Sequence, residues 1–208
     1  MELDPKNTQA VLVAQEIRTL ILNGVFTPGQ PLRQDALCER LNVSRTPLRH
    51  ALQSLAEDGL VEVAGFKGAR VAILDQGMVD DLFQMRMLLE PLALQSALPR
   101  LTKVDFAKAE MVLDAAEAEQ EPSRLSQLNW DFHRALYGPS NRETLMRTIQ
   151  QINTASAFAE VIANSIGARR SDSADEHRRL LEACRAGDQA SASSLLTDHL
   201  RRAHVAVQ

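Results

Sequence analysis

The sequence has few cysteines and no long hydrophobic run. Only Cys38 and Cys184 occur, in what we predict to be separate helices and without the spacing of a metal site. A disulfide framework is therefore not expected, and we predict two buried, unreactive thiols. No apolar run reaches the roughly 20 residues that cross a bilayer. The N-terminus, MELDPKNTQA, is acidic and polar, unlike a signal peptide. These absences predict a cytoplasmic protein with no membrane partner.

An excess of positive charge is also missing. The formal net charge of -4 argues against a protein that coats nucleic acid without selectivity. The segment from Arg40 to Ala56 nevertheless contains three arginines and His50, and it contains no acidic residue. A local basic face on a near-neutral domain is typical of selective DNA binding.

Helical spacing and turn residues divide the first 74 residues into three helices and two strands. Helices are predicted from Thr8 to Leu22, in LRQDALCERL after a turn at residues 27–31, and after Thr46, which we expect to cap the third helix. The segments LVEV and ARVAIL are typical of short strands, and the glycines of AGFKG fit a tight turn between them. Three helices followed by a hairpin is the order of a winged helix-turn-helix.

The third predicted helix presents arginines at its N-terminal end. Because Leu48, Leu52 and Leu55 form its buried stripe, Arg45 and Arg49 are expected to be exposed, together with Thr46. In a recognition helix this end reaches the base edges of the major groove. Arginine can bind guanine O6 and N7 with two hydrogen bonds, and serine or threonine hydroxyls, here those of Ser44 and Thr46, can bind phosphates.

Without further evidence, Arg45 and Arg49 could instead form an ordinary charged helix face that contacts only solvent. A predicted hairpin that carries Lys67 and Arg70 just downstream favours DNA binding instead, since both features belong to one known arrangement.

The segment LILNGVFTPGQPLRQDALCERLNVSRTPLRHALQSLAEDGLVEVAGFKGARV resembles the winged-helix domain of the GntR family of bacterial transcription regulators, especially in VSRTPLRHAL and DGLV. The resemblance places the wing, with Lys67 and Gly68, at the minor groove. Asp35 stands where some members have a DNA-contacting arginine, and we expect Arg33 to substitute for it. The resemblance implies DNA contacts at Ser44, Arg45, Thr46 and Arg49.

After Leu74 the composition changes, and no strand pattern follows. A polar linker is predicted near residues 74–79. Helices are predicted at about 80–98, 102–120, 123–138, 142–165, 172–186 and 188–205, with stops at prolines and glycines such as Gly167. The predicted fold is mainly α, with a winged helix-turn-helix at residues 1–74 and an all-helical bundle at residues 80–208.

Three histidines are expected to point inward from three helices of the bundle. His133 lies on or beside an apolar stripe with Asn129, whereas His177 and His199 lie three or four residues from leucine pairs. A single inward histidine is more often a satisfied core residue. Three of them together with Asn129 favour a divalent metal site, for Zn²⁺, Ni²⁺ or a similar ion.

The segments LNWDFHRALYGPSN and DEHRRLLEACRAGDQASASSLLTDHL resemble the FCD ligand-binding domain of the FadR-like branch of the GntR family. Aspartate is frequent at the first ligand position, and a neutral carboxamide should bind a cation more weakly than a carboxylate. The resemblance implies metal ligands at Asn129, His133, His177 and His199.

Arg86, in MRMLLE, matches a family arginine near the effector pocket. There it would bind the carboxylate of an effector with two hydrogen bonds. The alternative is an ion pair with Glu90 on the helix surface, four residues later.

These observations predict a metal-associated transcription regulator that responds to a small carboxylate effector and binds a pseudo-palindromic operator as a homodimer. Whether binding represses or activates is left open by the sequence. One alternative is a metal-dependent hydrolytic enzyme, although no HExxH motif is present. The other is a DNA-binding protein whose helical domain only dimerises. The buried polar cluster argues against it, because burying such groups without partners costs free energy.

Overall fold

The chain divides into two units, Met1–Leu74 and Asp75–Gln208. The described residues of the first unit form three helices and a small sheet. The computed structural model describes residues 5–63, 68–163 and 170–208. The sheet is antiparallel with strand order β1-β3-β2. The elements are α1 Pro5–Leu22, β1 Pro31–Leu32, α2 Gln34–Leu41, α3 Arg45–Glu57, β2 Val61–Val63 and β3 Ala69–Val71.

The sheet contains one strand that the sequence pattern did not predict. Pro31 and Leu32, assigned in part to a turn, form the edge strand β1 and pair with Arg70 and Ala69. Two residues are too few to show an alternating pattern, and the strand exists because β3 offers it a hydrogen-bonding edge. The predicted winged helix-turn-helix is confirmed, with a three-stranded sheet in place of a hairpin alone.

The third helix begins two residues earlier than predicted. Ser44, in extended conformation, occupies the capping position, so Thr46 is the second residue of α3 and does not cap it. The inward stripe is confirmed, because Leu48, Leu52 and Leu55 are at most 2% exposed. They pack this helix against α1. Similarly, α1 begins at Pro5, three residues before the predicted Thr8, since proline fits the first helical position.

The described part of the second unit consists of six helices and two short 3-10 turns, and it contains no strand. The predicted mainly α fold is thereby confirmed. No helix of the described chain is long and apolar enough to cross a membrane. The helices are α4 Gln76–Ala97, α5 Lys103–Ala118, α6 Pro122–Tyr137, α7 Glu143–Ile162, α8 Arg170–Arg185 and α9 Gln189–Val205.

The second unit begins its first helix inside the segment predicted to be a linker. The side chain of Asp75 accepts a hydrogen bond from the backbone N–H of Met78, at 2.8 Å, and caps α4. The polar composition that suggested a linker is therefore that of a helix N-terminus. The predicted end of α7 at residue 165 and the predicted stop at Gly167 lie outside the described residues.

The two cysteines differ in their surroundings. Cys184 lies in the core of the bundle, where burial raises the pKa of its thiol to about 12. Cys38 is only half-buried, and both thiols are free. The prediction of two buried thiols is therefore right for Cys184 and wrong for Cys38, because Cys38 lies at the edge of the inward face of α2.

Candidate functional site

The N-terminal end of α3 is an exposed polar surface. Ser44, Arg45, Thr46 and Arg49 are all exposed, as the position of the leucine stripe predicted. Arg33 is exposed as well and directly precedes α2. This surface has the composition of a recognition helix, with arginines for base edges and hydroxyl groups for phosphates.

An acidic residue contacts the first of these arginines. Asp35 lies in the first turn of α2. Its Oδ1 accepts a hydrogen bond from Nη2 of the Arg45 guanidinium, at 2.8 Å. Both side chains are open to solvent, with 80% and 75% of their area exposed. Arg45 thus has a carboxylate partner in the absence of DNA.

The predicted wing is described at its end. Gly68 has a φ of +89°, a conformation that favours glycine, which agrees with a tight turn. Lys67 lies outside the described residues. Arg70 faces Glu62 across the two strands and donates to its carboxylate at 2.8 Å, which holds the pKa of Glu62 below its usual value.

Three histidines from three helices meet inside the second unit. His133 of α6, His177 of α8 and His199 of α9 can each offer one ligand atom such that all lie within 4.8 Å of one another. None of the three side chains is more than 6% exposed. The predicted inward histidines are therefore brought together at one place in the bundle.

The protonation state of His133 suits metal binding. Burial, reinforced by the positive charge of His177, His199 and Arg86, holds the pKa of His133 well below its usual value. The ring is therefore neutral at pH 7, and a neutral imidazole is the form that ligates a metal ion.

A buried hydrogen-bond chain fixes which nitrogen of His133 carries the proton. The hydroxyl of Tyr137 donates to Oε2 of Glu90 at 2.8 Å, and its oxygen lies 3.0 Å from Nδ1 of His133. Since the single hydroxyl proton goes to the carboxylate, the oxygen accepts from Nδ1–H. The lone pair of His133 is then on Nε2, which is buried and has no hydrogen-bond partner among the described residues. This arrangement fits a metal ligand.

Glu90 is held in turn by Arg86. Nε of Arg86 donates to Oε1 of Glu90 at 2.7 Å, and both side chains are almost fully buried. The pair is therefore not a surface ion pair, as the alternative for Arg86 supposed. Both residues belong to α4, so this helix holds the far end of the hydrogen-bond chain that leads through Tyr137 to His133.

His199 has a comparable partner. Its Nδ1 lies 2.7 Å from Oε2 of Glu176, and the other oxygen of Glu176 accepts from Arg202 at 2.7 Å. A carboxylate accepts only, so Nδ1 of His199 donates, and Nε2 is the nitrogen left to bind a metal ion. Neither Glu176 nor Tyr137 was predicted as a site residue from the sequence. Their positions relative to the histidines could have indicated them, because Glu176 directly precedes His177 and Tyr137 follows His133 by one helical turn.

A cavity of about 350 Å³ lies in the same unit. Its wall is mainly apolar and is formed by side chains of α5, α6, α7 and α8. Of the four predicted metal ligands, Asn129 and His177 line it, as do Asn153, Glu160 and Arg178. Arg86 is not among the described residues of the wall, but its NH1 is 3.8 Å from Oε1 of Glu160. The cavity therefore offers an apolar volume beside two of the predicted ligands.

Comparison with protein-family models gives two matches that together cover most of the chain. Residues 9–71 match bacterial regulatory proteins of the gntR family, and residues 81–202 match the FCD domain. The chain belongs to the GntR family of bacterial transcription regulators. Since this family consists of regulators and not enzymes, the hydrolytic alternative is excluded.

Several similar proteins are named as transcription regulators. The Glc operon transcriptional activator of Escherichia coli is 32% identical over 183 residues, which cover 76% of this chain and 72% of that protein. The HTH-type transcriptional regulator YdhC of Bacillus subtilis is 25% identical over 95% of this chain and 90% of its own. McbR/YncC of E. coli shares the fold, with a TM-score of 0.80 at 23% identity over 93% of this chain and 94% of its own.

Proposed function

We propose that this GntR-family regulator binds a divalent metal ion and a small carboxylate effector in its FCD domain, and that the effector changes its affinity for an operator. The observation that carries the proposal is the histidine cluster, whose ligand atoms all lie within 4.8 Å. In this cluster, Nδ1 of His133 already forms a hydrogen bond with the hydroxyl of Tyr137, and Nδ1 of His199 forms one with the carboxylate of Glu176.

The predicted ligand set is Asn129, His133, His177 and His199. Neutral imidazoles suit Zn²⁺, Ni²⁺ or a similar ion. A metal that prefers five or six ligands would keep open positions beside these four, and a bound carboxylate could fill them. The cavity lined by Asn129 and His177 supports this site for the effector, because it is next to two of the ligands.

The cavity also favours one kind of effector. Since its wall is mainly apolar, a carboxylate with an apolar body should bind more tightly than an acid that is polar throughout. The predicted effector contact of Arg86 stays a prediction. It is supported by the 3.8 Å between Arg86 and Glu160, a residue of the cavity wall.

At the DNA, we propose that Arg45 and Arg49 contact bases. Arg33, Ser44 and Thr46 then contact phosphates. The wing, which includes Lys67 and Gly68, lies at the minor groove. An effector can shift operator binding only if it has different affinity for two arrangements of the protein. Such a protein must reach chromosomal DNA, so we place it in the cytoplasm.

A homodimer on a pseudo-palindromic operator is part of the proposal. One winged helix offers few base contacts, and a symmetric pair doubles them. Exposed apolar side chains on one stripe of α4 support a dimer interface there: Met78, Met85, Leu88 and Leu92.

The decisive experiment measures metal content in protein purified without chelators. We expect about one divalent ion per chain, loss of that ion in His133→Ala and His177→Ala, and effector-free operator binding that is largely intact. His204→Ala is the matched control, since His204 lies on α9 outside the cluster and contacts Asp80. Full metal content in both cluster variants would show that the site is misassigned. Metal loss with an unchanged effector response would make the metal structural only.

A further inference from the structure

We propose that Asp35 is a specificity-determining residue of the DNA interface, because it holds Arg45 in position to contact one base pair. This inference rests on the DNA-contacting role proposed for Arg45. Its starting observation is the 2.8 Å contact between Oδ1 of Asp35 and Nη2 of Arg45.

The position of the pair is what gives it a role. Asp35 lies in the first turn of α2, and Arg45 is the first residue of α3, so the contact joins the N-terminal ends of the two helices. Both side chains are more than two-thirds exposed, although the surrounding leucines are buried. The pair therefore lies on the surface that the recognition helix presents and not in the core.

Stability does not explain the pair. An exposed ion pair contributes only about 0–1 kcal/mol to folding. A carboxylate near a duplex is also repelled by phosphates, since DNA has one negative charge per roughly 1.7 Å of helix axis. An acidic residue at this surface therefore lowers affinity for DNA in general unless it does something specific.

The geometry of the guanidinium supplies that specific role. A guanidinium has five N–H donors in a fixed plane, so one bond to Asp35 leaves enough donors for O6 and N7 of guanine. The bond restricts a long, flexible side chain before DNA binds, which reduces the entropy lost on binding.

The test compares base preferences of full-length variants selected from a randomised duplex library. The wild type gives the operator half-site, and Arg45→Ala identifies the position that Arg45 contacts. We expect Asp35→Asn to reduce the base preference at that same position about tenfold. Glu39→Gln is the matched control, because it removes the same charge from an exposed position one turn later on α2. We expect it to leave the preference unchanged.

A double variant makes the test stricter. If Asp35 acts through Arg45, then Asp35→Asn should have no further effect on base preference in an Arg45→Ala background. If Asp35→Asn instead strengthens binding to the operator and to an unrelated duplex by the same factor, Asp35 is only repulsive and the inference is overturned. If Arg45→Ala itself leaves every base preference unchanged, the proposed role of Arg45 fails and this inference fails with it. Circular dichroism would confirm that each variant is folded.

Discussion

The hydroxyl oxygen of Tyr137 lies 3.0 Å from Nδ1 of His133, with both side chains buried. One turn of α6 separates the two residues, so a regular helix alone brings them into contact. The hydroxyl proton goes to Glu90, which makes Tyr137 an acceptor for His133 and directs the lone pair of His133 to Nε2.

Replacing this tyrosine tests the metal site without touching a ligand. We expect Tyr137→Phe to weaken metal binding by about 10- to 100-fold, because the ring of His133 would lose the partner that fixes its tautomer and orientation. Competition against a coloured chelator measures the affinity. Phenylalanine keeps the buried volume, and a melting curve of chelated protein checks that the fold is retained. Unchanged metal affinity would contradict the role given to the hydrogen-bond chain.

The buried ion pair behind Tyr137 should matter for stability. Arg86→Met leaves the carboxylate of Glu90 buried without its counter-charge, so we expect a loss of about 3–5 kcal/mol in the free energy of unfolding. The double variant Arg86→Met/Glu90→Met should recover part of that loss. Urea denaturation of chelated protein measures both. Arg201→Met is the control, because it breaks an ion pair with Asp198 in which both side chains are more than half exposed. A full-size loss in the double variant would show that the charge balance is not the cause.

Base contact by Arg49 is tested at the operator. We expect Arg49→Ala to cost on the order of 1–3 kcal/mol of binding free energy and to relax the preference at one base pair. Lys67→Ala should weaken binding to all sequences about equally, because we expect its ammonium group to contact phosphates beside the minor groove and a phosphate contact carries no sequence information. Fluorescence anisotropy with the operator and an unrelated duplex separates the two cases. Unchanged operator affinity in Arg45→Ala and Arg49→Ala together would rule out a recognition role.

The apolar stripe of α4 predicts where the homodimer forms. Leu88 is 73% exposed, so a charge there should not disturb the core but should disrupt an interface. We expect the wild type to be a dimer by light scattering at micromolar concentration and Leu88→Glu to be a monomer. Met111→Glu, at a similarly exposed position of α5, is expected to stay dimeric. A dimeric Leu88→Glu would place the interface elsewhere.

The thiols should differ in reactivity. With a pKa of about 12, Cys184 is ionised at pH 8 to about one part in ten thousand, and it is also shielded from reagent. We expect a colorimetric thiol reagent to modify one cysteine of the native protein, Cys38, and both after denaturation in guanidinium. Rapid modification of two thiols in the native protein would mean that the bundle core opens.

Much of this architecture follows from periodicity. The leucines of α3 recur at helical spacing, and each inward histidine lies at helical spacing from apolar neighbours on its own helix, so the sequence alone indicates which side chains are buried. The strand β1 was not predictable, because its two residues become a strand only through pairing with β3. The start of α4 was misjudged for a related reason, since the Asp75 cap and a polar linker have the same composition.

Contacts over long sequence distances account for the rest of the site. Glu90 and Tyr137 are 47 residues apart, and Glu176 and His199 are 23 apart. No spacing rule connects them. Helix packing decides which carboxylate reaches which ring, and a sequence pattern gives only the face on which each residue lies. The ion pair between Arg86 and Glu90 was one of the two alternatives that the sequence offered for Arg86, but the sequence did not indicate that the pair is buried.

The donors proposed for the metal are all electrically neutral, which has a consequence for how the cell would use this regulator. The carboxylates hydrogen-bonded to Tyr137 and His199 are already paired, Glu90 with Arg86 and Glu176 with Arg202. A divalent ion would therefore keep much of its charge, and an anionic effector would be a group that neutralises it. Each would then raise the affinity for the other by the same factor. Such a protein would need both ligands in order to respond. When metal is scarce, even a plentiful effector would not change operator binding, so one promoter would report on the supply of metal and of effector together.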